Sequence, residues 1–380
     1  MQRATRAVLQ AVLLVLLSAS VLEAQPLEQR REHVLAIDMK VTDVVPPRAI
    51  PVASVPVPPA VQPVASIRVR LRVTATGTGT ATVVIENAGG TEVERVDTTR
   101  FIDGVYWSGP IPGGQVRLRL VAPTPGLEVH ADQFALPITD ARPQAIVGID
   151  DSKPITDATV PPRVKLWAPS IARLKFIAGG LGRVCSGFLM GRDLLLTNQH
   201  CISNAAEAAT AVVEFGVDSA AAVPVSFRVS KIEAVDAPLD YSLLRLTGDA
   251  SKFGRLFVGP AATSQLPLVV VQHPQGLPKK AAFPPNCSVG STSVAGVDNL
   301  LNDFGHVCDT LGGSSGSPVV ESTDGAVVGL HHWRWPDGAK IPENQAVHIA
   351  LIVKDLAAKV QGGGLGKETL DEVTRPRPQP

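Results

Sequence analysis

The sequence lacks an excess of either positive or negative charge, and it contains few cysteines. Lys plus Arg total 35 and Asp plus Glu total 35, so there is no broad basic field with which to bind nucleic acid. Four cysteines in 380 residues exclude a disulfide-dense scaffold and leave room for two bridges or one metal site. With 45% hydrophobic residues, the chain can bury the cores of about two to three domains.

The longest apolar run lies at the N-terminus, over residues 8–21. Arg3 and Arg6 precede it, and residues 22–24 offer a cleavage site before Gln25, so we predict a signal peptide over 1–24. The run is shorter than the ~20 residues of a membrane span, and an uncleaved anchor is the alternative. We expect a secreted or periplasmic protein with paired cysteines and no stable membrane insertion after cleavage.

Composition divides the rest of the chain into five segments. Residues 25–65 are rich in Pro, Val and Ala and predict an extended linker. Residues 66–138 contain short alternating strands that predict a small β-sandwich accessory domain. A second Pro-containing linker covers 139–162 and overlaps the start of a strand-rich domain over 145–361. Residues 362–380, rich in Gly, Pro and charge, predict a flexible tail.

Three segments of the second half carry residues suited to nucleophilic catalysis. They are CSGFLMGRDLLLTNQHC at 185–201, LDYSLLRL at 239–246 and CDTLGGSSGSPVV at 308–320. Together they supply a histidine, an aspartate and a serine in that chain order, the three groups of a nucleophilic triad. His200 follows an apolar strand that gives the imidazole a rigid mount. Asp240 opens the next regular strand, and Asp236 is its competitor.

The glycine-rich third segment predicts the nucleophile and a site for developing negative charge. Glycines allow a sharp backbone turn that points amides into one small volume. We assign Ser315 as the nucleophile, and the amides of Gly313 and Ser315 as an oxyanion hole. Ser314 and Ser317 are rival nucleophiles.

These motifs resemble the chymotrypsin-fold serine proteases. TNQHC is similar to the family's histidine motif, DYSLLRL to its aspartate motif and GGSSGSPV to its serine motif. The intervals between them, and the stretches IVGIDDSKPITD and QHPQG, look like the secreted bacterial branch that includes glutamyl endopeptidases. The resemblance covers about residues 145–360. It implies an all-β fold, with two six-stranded antiparallel β-barrels and the site between them, here preceded by the small β-sandwich.

The resemblance also implies the cysteine pairing. Cys185 and Cys201 are spaced like the bridge that flanks the family's catalytic histidine, and Cys287–Cys308 would tether the chain just before the nucleophile. A Cys/His zinc site is the alternative, but the sequence has no CxxC or CxxxC pair. We therefore expect neither a metal nor a cofactor.

One departure concerns how the oxyanion loop is ordered. Trypsin-like zymogens carry an aspartate immediately before the nucleophile, and it receives the new N-terminus after activation. Ser314 occupies that position here, so another contact must order the loop.

The resemblance gives two conflicting indications of substrate preference. Asp309 lies where trypsin-like enzymes hold the aspartate that pairs with Lys or Arg of the substrate. His331 matches the histidine with which glutamyl endopeptidases meet an acidic side chain. We favour an acidic preference, and a buried structural role for His331 stays open.

The sequence therefore predicts a secreted serine endopeptidase that acts on protein or peptide substrates. One alternative is a catalytically silent secreted binding or adhesion protein on the same fold. Another is an esterase, although the run after Gly313 lacks the final glycine of the G-x-S-x-G elbow.

Overall fold

This computed structural model consists mainly of short β-strands. The predicted signal peptide, residues 1–24, lies outside the described residues, as does most of the predicted linker. The structure describes the following ranges: 26–31, 37–40, 53–54, 66–75, 79–102, 104–113, 115–121, 127–137, 146–178, 181–297, 299–334 and 343–377.

The N-terminal part contains ten strands. They are β1 (Pro26–Arg31), β2 (Ile37–Lys40), β3 (Ala53–Ser54), β4 (Ser66–Ala75), β5 (Thr82–Asn87), β6 (Glu92–Asp97), β7 (Val105–Trp107), β8 (Ile111–Pro112), β9 (Gln115–Val121) and β10 (Leu127–Pro137). Strand β4 pairs with β7, β8 and β10, and β10 also pairs with β1 and β2, while β3-β9-β5-β6 form a second sheet. Ile67, Val69 and Leu71 alternate along β4 and enter an apolar core that both sheets share.

The middle of the chain forms a closed barrel. Its elements and the strand before it are β11 (Lys153–Pro154), α1 (Pro162–Trp167), β12 (Ile171–Ala178), β13 (Leu181–Leu189), β14 (Leu194–Thr197), α2 (Ala205–Thr210), β15 (Val212–Phe215), β16 (Val225–Asp236) and β17 (Tyr241–Leu246). The order β12-β15-β16-β17-β14-β13 closes because β13 pairs back onto β12. The prediction of a six-stranded antiparallel barrel is confirmed for this half.

The second half is less regular than predicted. Its elements are β18 (Phe257–Val258), β19 (Leu268–Gln272), β20 (Lys280–Ala282), β21 (Asp303–His306), β22 (Pro318–Glu321), β23 (Ala326–Arg334), β24 (Asn344–His348), α3 (Ile349–Gln361) and α4 (Lys367–Thr374). The seven strands of this half, β18 to β24, form an eight-stranded sheet together with β11. Only single bridges, Pro267–Ser288 and Val289–His306, connect the β19 and β21 sides, so the described residues show no second barrel of six regular strands.

The two halves pack face to face, which explains why the strands that lead to the candidate site are apolar on both faces. Leu195 of β14 points into the barrel core, whereas Leu194 and Leu196 point into the core shared with the second half. All four residues of β14 are buried. Such double burial fixes the strand that ends just before His200.

Two segments predicted to lack packed structure contain paired elements. Strands β1, β2 and β3 lie within the predicted 25–65 linker, and β1 pairs with both β10 and β13. Strands β1, β2 and β3 pair with strand edges, because the unpaired N–H and C=O groups of an edge can form hydrogen bonds with a further strand. In the predicted flexible tail, α4 buries Thr369 and Val373, and its Glu372 accepts a hydrogen bond from the Arg192 amide. Residues 367–374 of the predicted flexible tail therefore form a helix that packs against the rest of the molecule.

The N-terminal sheets contact the barrel through buried charge. Arg68 of β4 is fully buried. Its Nη2 donates to the Thr210 carbonyl at the end of α2, 2.7 Å away, and its Nε donates to the Ser108 carbonyl at 2.8 Å. Arg228 of β16 forms an ion pair with Glu94 of β6. Polar partners of this kind offset the large cost of burying a guanidinium.

Candidate active site

His200 and Asp240 meet at the ends of two paired strands. Strand β14 pairs with β17, which brings the residues that follow β14 next to the residue that precedes β17. His200 Nδ1 lies 2.8 Å from Asp240 Oδ2, and the His200 amide donates to Asp240 Oδ1 at 2.9 Å. Both carboxylate oxygens therefore hold the same histidine, one through its ring and one through its backbone.

The backbone at Asp240 is also fixed. Asp240 has φ +44°, a left-handed backbone conformation that residues other than glycine seldom adopt. The Asn198 side-chain amide donates to the Asp240 carbonyl at 2.9 Å, and the Asp240 amide donates to the Ala237 carbonyl. These contacts stabilise the strained turn that aims the carboxylate at His200.

Asp240 has a second imidazole partner that the sequence analysis did not include. His332 Nδ1 lies 3.1 Å from Asp240 Oδ2, and His332 Nε2 lies 2.7 Å from Asp303 Oδ2. Burial on its own raises the pKa of the Asp240 carboxyl, but His200 and His332 outweigh burial and lower that pKa well below its usual range. Asp240 is therefore ionised at neutral pH.

Ser315 lies on the turn before β22, next to these groups. Its hydroxyl donates to the carbonyl of His332, 3.3 Å away, and its own carbonyl accepts the Ser186 amide at 2.8 Å. Gly316, with φ +85°, passes so close to β13 and β14 that a Cβ there would lie 2.4 Å from Thr197 Oγ1. Only glycine fits this approach, so Gly316 lets the serine loop come against the strand that leads to His200.

His200 Nε2 is the ring nitrogen turned away from Asp240. It is buried, and no hydrogen-bond partner lies against it within the described part of the chain. Catalytic hydrogen bonds are often unformed in the absence of substrate, so an open Nε2 is compatible with a base awaiting a hydroxyl.

A loop of the second half orders the candidate oxyanion amides. The Gln275 amide donates to the Gly312 carbonyl at 2.5 Å, and Ser186 Oγ donates to the Gly313 carbonyl at 3.0 Å. Because the trans peptide places N–H opposite C=O, the first contact turns the Gly313 N–H away from Gln275. Ser186 Oγ also accepts the His273 amide, so QHPQG and β13 support the loop together.

We expect Ser186→Ala to lower kcat by about 10- to 100-fold, because the Gly313 peptide loses its anchor, and a misaligned donor loses much of its contribution. Steady-state kinetics on a peptide substrate measures this. The matched control is Ser226→Ala, since Ser226 is exposed on β16. An unchanged kcat in Ser186→Ala would show that the serine hydroxyl does not order the loop.

The rival residues lie elsewhere or are buried. Asp236 accepts the Leu239 amide and pairs with Lys359, so it is not the partner of His200. Ser314 is fully buried, and its Oγ accepts the Leu311 amide. Ser317 is also fully buried, whereas Ser315 is partly exposed. The structure thus brings Asp240, rather than Asp236, to the histidine.

The disulfide predictions are confirmed. Cys185 is bonded to Cys201, and Cys287 is bonded to Cys308. The first bridge joins β13 to the residue after His200 and so constrains the histidine loop. Cys185, His200 and Cys201 also form the one group of potential metal ligands found among the described residues, but the disulfide engages both sulfurs.

Both specificity candidates are buried. Asp309 is 3% exposed, and its carboxylate accepts the amides of Val147 and Asp151, each at 2.9 Å. Burial raises the pKa of Asp309 although these amides lower it. His331 is also 3% exposed, and its Nδ1 lies 3.2 Å from Nε2 of His306. Burial lowers the pKa of His331 well below its usual value, and His306 and His332 add to the effect, so its imidazole is neutral.

Comparison with protein families decides the class of the second part of the chain. The model of the trypsin-like peptidase domain matches residues 185–330, which include His200, Asp240 and Ser315. Residues 185–330 form a trypsin-like peptidase domain. This bears out the resemblance to trypsin-like serine proteases, while the glutamyl endopeptidase branch stays a prediction.

Two curated relatives match parts of the chain. The secreted RxLR effector protein 73 of Plasmopara viticola is 36% identical over 163 residues, which are 39% of this chain and 40% of that protein. The uncharacterized protein y4fB of Sinorhizobium fredii is 27% identical over 241 residues, or 49% of this chain and 35% of that protein. The chain therefore spans well under half the length of either relative.

Solved structures of proteases are also similar in part. The serine endoprotease from Yersinia pestis has 19% identity and a TM-score of 0.41, with 53% of this chain and 66% of that chain covered. The active form of the Rv3671c protease from M. tuberculosis has 17% identity and a TM-score of 0.40, covering 58% of this chain and 92% of that one. No helix in the part of the chain that the structure describes is both long and apolar enough to cross a membrane.

Proposed function

We propose that this chain is a secreted serine endopeptidase with Ser315 as nucleophile, His200 as general base and Asp240 as the carboxylate that orients it. The observation that carries the proposal is the 2.8 Å contact between His200 Nδ1 and Asp240 Oδ2, with Nε2 left without a partner among the described residues. A proton on Nδ1 leaves Nε2 as the acceptor that a serine hydroxyl requires.

The proposed reaction begins when the Ser315 hydroxyl rotates from the His332 carbonyl towards His200 Nε2. His200 takes the hydroxyl proton as Ser315 Oγ attacks the peptide carbonyl, and the amides of Gly313 and Ser315 stabilise the oxyanion. His200 then passes its proton to the leaving amine. Water attacks the acyl-enzyme in a second round with the same base, which releases the second product and restores Ser315.

The support for the oxyanion assignment is local. Within the described residues, neither the Gly313 nor the Ser315 amide donates to a backbone acceptor, although their neighbours Ser314 and Gly316 both do. Two unoccupied amides on a loop anchored by Ser186 and Gln275 are suited to receive a developing negative charge.

Secretion is part of the proposal. Disulfides persist in oxidising compartments, and this chain contains two of them and no free cysteine in the described residues. The predicted signal peptide over 1–24 and a relative named as a secreted effector support the same location.

The substrate class is a protein or peptide, and an acidic side-chain preference remains our proposal for His331. The imidazole is buried and neutral, so it would act by donating a hydrogen bond rather than by charge. Asp309 has both oxygens occupied by backbone amides, which weakens the competing role of binding Lys or Arg.

A fluorophosphonate probe tests the function directly. We expect one adduct per chain on Ser315, mapped by peptide mass spectrometry, because this serine is partly exposed and is the proposed nucleophile. Ser315→Ala should not be labelled, whereas Ser226→Ala should be labelled like the parent. Absence of labelling in the folded parent protein would favour the catalytically silent binding protein.

A further inference from the structure

A second histidine touches both the candidate nucleophile and the carboxylate of the proposed triad. The imidazole of His332 is 1% exposed and lies between Asp240 of the first barrel and Asp303 of β21. Its carbonyl accepts the Ser315 hydroxyl. His332 thus connects the two halves of the molecule at the point where the proposed chemistry takes place.

The backbone explains how His332 reaches this position. On β23, His331 is opposite Ala346 and Trp333 is opposite Gln345, so His332 is an extra residue in the pairing with β24. Such a bulge re-aims a side chain and is often found next to active sites. Here it turns His331 towards His306 and His332 towards Asp240.

The hydrogen-bond partners of His332 constrain the charge of its imidazole. An ionised carboxylate only accepts hydrogen bonds, whereas a neutral imidazole donates only one. His332 contacts a carboxylate oxygen through each ring nitrogen, so both nitrogens carry protons if both aspartates are ionised. Burial opposes this charge, but Asp303 and Asp240 raise the pKa of His332 to about 9.

We propose that His332 is a positioning residue that, as a buried imidazolium, ties Asp240 to Asp303 and holds the Asp240 carboxylate in register with His200. This inference rests on the proposed function. His332 does not exchange a proton with substrate; it acts through Asp240.

The cluster keeps the net charge of an ordinary triad. Two carboxylates and one imidazolium sum to one negative charge facing His200, the same as a lone aspartate. The charged or titratable groups that face His332 or Asp303 from the surrounding elements are His200, Asp240, His306, His331 and His348. His331 and His306 are buried with lowered pKa values, that of His306 to about 3, so they add no charge near neutral pH.

His332→Gln tests the inference through the pH profile. Glutamine retains an amide donor for Asp240 but removes the cation, so two carboxylates then face His200 and favour its protonated form. We expect the acid limb of kcat/KM to move up by about 1 pH unit, with kcat reduced more than KM is raised. A merely structural loss would lower activity equally at every pH.

A double variant and a remote histidine provide the controls. In His332→Gln with Asp303→Asn, one negative charge again faces His200, and we expect the acid limb to return towards the parent value. His130→Gln, a substitution on β10 far from the site in the fold, should leave the profile in place. An unmoved acid limb in a folded His332→Gln protein would overturn the inference.

Spectroscopy separates this inference from the proposed function. In ¹⁵N-histidine-labelled Ser315→Ala, we expect one histidine at pH 7.5 with both ring nitrogens protonated, absent in His332→Gln with Ser315→Ala. Its contribution to the free energy of unfolding should be full below pH 6.5 and be lost as the pH rises through about 9. A neutral His332 would refute the bridge even if the enzyme is active, and a doubly protonated one would support it even if no turnover is found.

Discussion

We expect Ser315→Ala to lower kcat on a denatured protein substrate by on the order of 10⁶-fold, because triad residues act as a unit. The hydroxyl is the only proposed group that bonds to the acyl carbon, and the amides of Gly313 and Ser315 remain. Some acceleration over water should survive from this oxyanion hole. The loss is quantified by the release of acid-soluble peptide, measured at enzyme concentrations high enough to detect the remaining activity.

The neighbouring serines supply the comparison for this result. Ser314→Ala and Ser317→Ala should keep turnover within about tenfold of the parent, because each removes a buried hydroxyl worth about 1 kcal/mol. If either variant lost activity while Ser315→Ala retained it, the nucleophile would be misassigned. Melting temperatures well above the assay temperature in all three variants would show that loss of folding is not the cause.

Asp240→Asn should lower kcat by about 10⁴-fold near neutral pH. The amide nitrogen cannot accept the proton of His200 Nδ1, so the ring loses the contact that leaves Nε2 free as the base. It would also meet His332 Nδ1 with a donor where the parent has an acceptor. Steady-state kinetics at saturating peptide, with circular dichroism to monitor folding, measures the effect.

The rival carboxylate gives the matched control. Asp236 lies four residues before Asp240, and its hydrogen-bond partners are the Leu239 amide and Lys359. Asp236→Asn should change kcat by less than about tenfold, since Asp236 does not contact His200. A loss in Asp236→Asn equal to that in Asp240→Asn would mean that the turn as a whole, rather than the Asp240 carboxylate, is required.

The candidate site was readable because its local patterns are strong. Three local patterns predict the geometry around the candidate residues. They are the apolar strand before His200, the regular strand after Asp240 and the glycines around Ser315. The pairing of β14 with β17 then brings the first two together. The cysteine pairing followed in the same way, from spacing and from resemblance.

His332 and Asp303 were missed for a physical reason. The His331-His332 pair stands in a strand that reads as regular, and nothing in the sequence marks the bulge that sends the second imidazole towards Asp240. Asp303 is the first residue of β21 and is fully buried, which no local pattern in the sequence indicates. A histidine pair in an apolar strand was the only available signal.

The tail and the first linker show the limit of reading composition. Gly-, Pro- and charge-rich sequence predicts mobility only if no apolar face finds a partner. In α4 the buried Val373 joins the core that the two halves share, and Arg245 and Arg255 add polar contacts. Strand β1 finds the free edges of β10 and β13.

Short-range patterns in the sequence predict the strand-rich class and the three residues proposed for catalysis, and the resemblance to chymotrypsin-fold proteases implies the disulfide pairs. The tertiary structure alone decided which groups surround them: the QHPQG loop that anchors Gly313, the amides that occupy Asp309, and the imidazole between Asp240 and Asp303. Such contacts join residues tens of positions apart, and only the packing of one half of the molecule against the other brings them within hydrogen-bond distance.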